Sequence, residues 1–154
     1  MGKESDFPLA GKMGQLMGVG IAANGDVWIA DGSKNQLYFF PGGRVKDQKV
    51  VKVPGLKSPF DIVIDDQNRV WVANSQADFV TRFPANDPSK VETFQVGLTV
   101  RGLALDSKGN VWVKMVSLVT TKCHRFRMAR PSWNSFGSWE TPCSARRRPP
   151  AWST

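Results

Sequence analysis

Short apolar runs separated by polar turns recur along the chain. Gly20-Ile21-Ala22, Ile62-Val63-Ile64 and Leu103-Ala104-Leu105 each precede a polar turn. Each turn leads into a second apolar run: Val27-Trp28-Ile29, Val70-Trp71-Val72 and Val111-Trp112-Val113. Runs this short, rich in β-branched and aromatic residues, predict strands joined by hairpins. Asn24-Gly25 is the clearest turn, because both residues tolerate the positive φ that a type I′ hairpin requires. The first repeat reads as two residues shorter at this turn than the other two. Asp66-Gln67-Asn68 and Ser107-Lys108-Gly109 then read as looser hairpins.

Two more strands follow in each repeat. Gln36 to Phe40 has its counterpart in Phe79 to Phe83. Pro41-Gly42-Gly43 and the Pro84 to Pro88 stretch end these strands, since proline cannot donate to a ladder. Lys49-Val50-Val51-Lys52-Val53 and Val91 to Val96 mix apolar with charged or polar residues, as outer strands facing water should.

The pattern is an internal repeat. Trp28, Trp71 and Trp112 are 43 and 41 residues apart. At the spacing of 43, Ala30 matches Ala73, Asp31 matches Asn74, Phe40 matches Phe83 and Pro41 matches Pro84. Four antiparallel strands in about 42 residues is one blade of a β-propeller. The expected fold class is therefore all-β: a partial propeller of about 2.5 four-stranded blades with an irregular basic tail. Segment 1–17 stands in the position of the outer strand of a preceding blade. Blade one covers 18–57, blade two 58–98, a partial blade three 99–117 and the tail 118–154.

These residues resemble a known family. Gly20-Ile21-Ala22 through Val27-Trp28-Ile29-Ala30-Asp31 is similar to the NHL repeat, which has Gly-Ile-Ala, an Asn-Gly or Gly-Asn turn, and an aromatic strand ending Ala-Asp. Arg101-Gly102-Leu103-Ala104-Leu105-Asp106 through Val111-Trp112-Val113 resembles it more closely still. The senescence-marker-protein/gluconolactonase group and the streptogramin (virginiamycin B) lyases share this repeat logic. The resemblance covers roughly residues 14–114 and implies a six-bladed type of propeller. The lyases of this kind use a histidine and a glutamate with magnesium, in blades that have no counterpart here. The single histidine, His124, lies outside the repeat. The lactonase group implies a divalent cation held by Glu, Asn and Asp around the channel. Glu4, Glu92 and Glu140 are the only glutamates, and none falls on an expected inner strand. No cofactor site is identifiable within the chain. The resemblance implies a binding or scaffold module, with a remnant of a lactonase-like or streptogramin-lyase-like enzyme as the alternative.

Propellers usually close with four to eight blades. Two and a half blades leave two open sides with apolar surface for neighbouring blades to cover. The sequence therefore reads as part of a larger propeller, with ring closure by self-association through the open sides as the alternative. The end of the repeat is abrupt. Where the family has Ala or Ser and then Asn or Asp, this chain has Lys114-Met115. Residues 118–154 show neither a strand nor a helix period and gain Arg, Trp, Pro and Cys, the change that an out-of-frame reading produces.

Charge follows the same division. Of the net +8, residues 1–117 contribute +2 and residues 118–154 contribute +6. A basic tail offers an electrostatic grip on nucleic acid or an anionic membrane surface, and a simply solvated tail accounts for the same charge without a partner. Phe126 alone among the basic residues 122–130 is a poor stacking platform, so nucleic acid is disfavoured as a partner. Hydrophobic residues at 41% and charged residues at 22% exclude a wholly disordered chain. There is no apolar h-region after Met1 and no uninterrupted apolar stretch long enough to span a membrane. The compartment stays open.

Candidate chemistry is sparse, and no catalytic constellation is found. Cys123, His124 and Cys143 have no zinc spacing, and no metal site is assigned. Asp65, Asp66 and Asp106 recur at turn corners, where capping explains them. Trp28, Trp71 and Trp112 recur once per blade, which packing between blades explains without a ligand. Asp31 and Asn74 end the second strand at one end of the channel. With Asn35 and Asp78 in the following loop, they are the candidate residues for binding a protein or small ligand.

Overall fold

A computed structural model describes residue 9, residues 11–97 and 99–116, and the backbone of 121–126. Among the described residues, eleven strands form three antiparallel sheets. Strands β1 (Leu16–Ile21), β2 (Val27–Asp31), β3 (Gln36–Phe40) and β4 (Lys49–Val51) make the first, in that order. Strands β5 (Pro59–Ile64), β6 (Arg69–Asn74), β7 (Phe79–Pro84) and β8 (Glu92–Gln95) make the second. The third holds β9 (Val100–Leu105), β10 (Val111–Val116) and β11 (Thr121–Phe126), with β10 in the centre.

Strand β11 differs from the expectation that residues 118–154 are irregular. It pairs with β10 from Val111↔Phe126 to Val116↔Thr121 and occupies the third-strand position of a blade. Its Thr-Lys-Cys-His-Arg-Phe sequence is polar enough to hide the strand period. Residues 127–154, with Cys143, lie outside the described residues. At the other end, β1 begins at Leu16, inside the segment expected to precede the first blade.

The hairpin turns also differ from expectation. The pairs Ile21↔Val27, Ile64↔Val70 and Leu105↔Val111 close β1–β2, β5–β6 and β9–β10, so all three turns have one length. In each, the first N–H donates to the carbonyl four residues on: Ala22 to Asp26, Asp65 to Arg69, Asp106 to Asn110. The fourth residue donates back to the first carbonyl and carries the positive φ: Gly25 at 84°, Asn68 at 55° and Gly109 at 76°. Asn24 is not among the residues with positive φ, so the turn is not type I′. One left-handed residue per turn is the arrangement of a hairpin with a glycine bulge.

The blades pack face to face through apolar side chains. Between the first two sheets lie Trp28, Ala30, Leu37, Ile62, Val72 and Phe83. The Trp28 ring meets Phe83 of the next blade edge-on, with centroids 5.7 Å apart, and tilts against Phe39 at 4.4 Å. Between the second and third sheets, Trp71, Ala73 and Val80 meet Val100, Val111 and Val113. The tryptophan of one blade thus fills the gap to its successor.

The inner strands approach so closely that glycine is required. A Cβ on Gly18 would stand 2.5 Å from the Asp61 Cα, and one on Gly20 would stand 2.7 Å from Ile62 Cγ2. One blade further on, the Asp61 carboxylate accepts from the Leu103 N–H at 2.8 Å and ties β5 to β9. The sheets are consecutive blades around a common inner edge.

Candidate functional site

The sequence places its candidate ligand contacts where the second strand ends and the next loop begins. Asp31 ends β2 and Asn74 ends β6, and both are fully buried. Asp31 accepts four hydrogen bonds. Its Oδ2 takes the Gly14 N–H at 2.8 Å and the Tyr38 hydroxyl at 2.9 Å. Its Oδ1 takes the Ser33 hydroxyl at 2.9 Å and the Lys34 N–H at 3.1 Å. Burial pushes this carboxyl up, but the bonds from Gly14, Ser33, Tyr38 and Lys34 together outweigh it and hold the group below its ordinary 3.8. Burial, and the hydrogen bond to this carboxylate, push the Tyr38 phenol up.

Asn74 repeats this arrangement with reversed polarity. Its Oδ1 accepts from the Lys57 N–H at 2.9 Å, as Asp31 accepts from Gly14; both amides lie 17 residues upstream. Its Nδ2 donates to Thr81 Oγ1 at 2.9 Å, and Thr81 is 43 residues after Tyr38. Longer contacts reach the Phe79 and Val72 carbonyls. Each side chain latches the strand end to the segment entering its own blade. A backbone bond reinforces each latch: Gly32 N–H to the Gln15 carbonyl and Ser75 N–H to the Ser58 carbonyl. Position 115 completes the series with a methionine: Met115 is buried and carries no latch, although Val116 N–H still reaches the Thr99 carbonyl.

Asn35 and Asp78 are also equivalent, 43 residues apart, and both are exposed in the loops beyond the latches. Asn35 adopts φ 51°, and its Oδ1 accepts from Ser58 N–H at 2.6 Å, bridging the first blade to the second. The Asp78 carbonyl accepts from Val96 and Gly97 N–H, which fastens the β8 end to the β6–β7 loop. The structure therefore brings the four candidates to one end of the blades. It sets two in the interior with their polar capacity filled and two on the rim. Ser58 at φ 49° and Thr99 at φ 55° occupy matching left-handed positions just before β5 and β9, where non-glycine residues store strain. The sequence carries no signal for these two.

The turn aspartates form the other polar constellation. Asp65 Oδ1 accepts from Gln67 and Arg69 N–H, and Oδ2 from Arg69 Nε and Trp71 Nε1 at 2.7 and 2.8 Å. Asp106 accepts from Lys108 and Asn110 N–H, from Asn110 Nδ2 and from Trp112 Nε1. The Asn110 side chain and backbone hold this carboxyl far below the usual carboxylate range, with help from Trp112. In blade one the equivalent residue is Ala22, and the buried Trp28 Nε1 has no partner. Among the described residues, no three His, Cys, Asp or Glu side chains converge to hold a metal ion.

A chain of a nidogen/laminin complex matches 84% of this chain and 49% of its own, at 16% identity and a TM-score of 0.68. A streptogramin B lyase matches 72% of this chain and 37% of its own, at 12% identity and a TM-score of 0.60. A luciferin-regenerating enzyme matches 67% of this chain and 38% of its own, at 15% identity and a TM-score of 0.57. The fold is that of a partial β-propeller. The chain spans less than half the length of each of these propellers. No protein-family model matches the sequence, and no curated protein matches it. Propellers that share this fold include enzymes and binding modules alike, so function has to be argued from the side chains.

Proposed function

We propose that this chain is part of an NHL-type β-propeller that works as a binding or scaffold module and carries no catalytic centre of its own. The observation behind this reading is the use to which the polar side chains are put. The four acceptor positions of Asp31 are filled by Gly14, Ser33, Lys34 and Tyr38, and Asn74 is filled likewise from its own blade. A carboxylate so engaged neither accepts a proton readily nor coordinates an ion. Ligand contact then falls to the rim, to Asn35, Asp78 and the loops that carry them. Asp31 and Asn74 support those loops from beneath.

Two experiments test the proposal. Lactone hydrolysis and streptogramin ring opening, each assayed with and without Mg²⁺ or Ca²⁺, should proceed at the rate of buffer alone. Turnover that disappears in a D31N or N74D variant would favour the lactonase-like or lyase-like remnant. Titration of the labelled protein with a panel of small-molecule fragments, read by amide chemical shifts, should move Asn35 and Asp78 first. Shifts clustered away from both loops would remove them from the binding site.

A further inference from the structure

The inner strands carry an irregularity that the packing between blades does not use. In β5 the ladder passes from Pro59↔Asn74 to Asp61↔Ala73, and in β9 from Val100↔Met115 to Gly102↔Lys114. Phe60 and Arg101 are therefore the extra residues of two β-bulges at equivalent places. Strand β1 shifts register at the same place, between Leu16 and Val19. A bulge releases its side chain from the alternation of the strand and re-aims it. Neither Phe60 nor Arg101 belongs to the apolar clusters between the blades. Ser58 and Thr99, two residues before each bulge, are the residues held at φ 49° and 55°.

The two re-aimed side chains meet each other. The Arg101 guanidinium lies over the Phe60 ring, 5.5 Å from its centroid. Arg101 is exposed and Phe60 is half-buried. Among the described residues, no carboxylate forms an ion pair with Arg101. Asp61, the acidic neighbour of Phe60, turns its oxygens to the Ile62 and Leu103 N–H groups instead. A guanidinium resting on an aromatic face is fixed in orientation while its N–H edges stay open. Those edges match the two oxygens of a carboxylate. The pair lies beside the rim loops. Asn35 Oδ1 accepts from the Ser58 N–H, and the Asp78 carbonyl accepts from the Gly97 N–H, each just ahead of a bulged strand.

We infer that Arg101, braced by Phe60, is an anion-binding group at the inner edge of the blades and takes the carboxylate of a small organic acid in a bidentate pair. The inference rests on the binding-module reading and names the class of ligand that the rim receives.

Titration of the labelled full chain with benzoate at constant ionic strength tests it, read by the Arg101 Nε–H and Phe60 ring signals. Both signals should shift and saturate at millimolar benzoate. Benzamide, the uncharged analogue, should leave them in place. Arg101→Gln alters an exposed side chain, so the amide spectrum away from β5 and β9 should persist while benzoate affinity falls about tenfold or more. Arg101→Lys keeps the charge without the planar fork and should bind benzoate about threefold more weakly than the parent chain, or worse. Equal shifts with benzamide, an affinity unchanged in either variant, or an Arg101 signal that stays still would each overturn the inference. Neutral fragments that move Asn35 and Asp78 while benzoate moves nothing would sink the anion site and leave the binding module standing. Fragments that avoid both loops, with benzoate still on Arg101, would do the reverse.

Discussion

Ala22→Asp is expected to stabilise the first blade. In blades two and three the residue at this corner is Asp65 or Asp106, and one carboxylate joins the turn amides to the tryptophan indole. Trp28 is as deeply buried as Trp71, yet its Nε1 has no partner. An unsatisfied buried donor costs about 1–3 kcal/mol, and a hydrogen bond to a charged acceptor contributes about 1.5–3 kcal/mol. Part of the aspartate's effect on the turn is already supplied, because Asn24 Oδ1 accepts from Asp26 N–H at 3.1 Å. Ala22 is buried, so desolvating the new carboxylate offsets a further part. The net expectation is a gain of about 1–2 kcal/mol, or roughly 3–8 °C in Tm for a body of this size. Urea and thermal unfolding of the parent chain, A22D, W28F and the double variant would measure it. In the W28F background the indole donor is gone, and the benefit of the aspartate should fall by about 1 kcal/mol or more. A gain of equal size in both backgrounds, or none in either, would refute the assignment of the orphan indole to the missing aspartate.

The Asp31 latch makes stability depend on pH. Its carboxyl is held below 3.8 when folded, so its contribution is present above that value and is lost as pH falls through the lower folded value. Acid titration of unfolding free energy should therefore steepen below about pH 4, and D31N should flatten the curve in that range. Gly18→Ala should destabilise by about 2 kcal/mol or more, because the added methyl meets the Asp61 backbone at 2.5 Å and neither strand can give way without parting the blades. Unfolding in urea would show this as a lower midpoint, and an unchanged midpoint would mean that the inner strands are not in contact.

Much of the architecture is visible in the spacing of a few residues. The tryptophans at 28, 71 and 112 mark the central strand of each hairpin, and the distance of 43 carries Asp31 onto Asn74 and Phe40 onto Phe83. The turn length is misread for a local reason. Gly20-Ile21-Ala22 looks like Asp61-Ile62-Val63, but the ladder pairs Ile21 with Val27 as it pairs Ile64 with Val70, so the similarity is displaced by two residues. With alanine at position 22, where the other blades have Asp65 and Asp106, the first turn carries no marker of its register.

The latches are only half legible. Tyr38 and Thr81 recur at the spacing of 43 and signal that Asp31 and Asn74 have partners within the blade. The partners that tie them to the entering segment are the backbone amides of Gly14 and Lys57, and a backbone amide leaves no trace in residue identity. Polar residues at a channel mouth therefore suggest a ligand from sequence, while the geometry assigns them to holding the strand ends. Strand β11 is not legible in the sequence, because its residues are mostly polar and its place follows from pairing with β10.

The packing of successive blades through the tryptophan faces is the central claim, and nuclear Overhauser contacts test it most directly. Cross-peaks between the Trp28 and Phe83 rings, and between Gly20 Hα and the Ile62 methyl groups, are expected, since the two ring centroids are 5.7 Å apart and Ile62 Cγ2 stands 2.7 Å from where a Cβ on Gly20 would be. Contacts confined within single hairpins, with both of these pairs silent, would contradict the account.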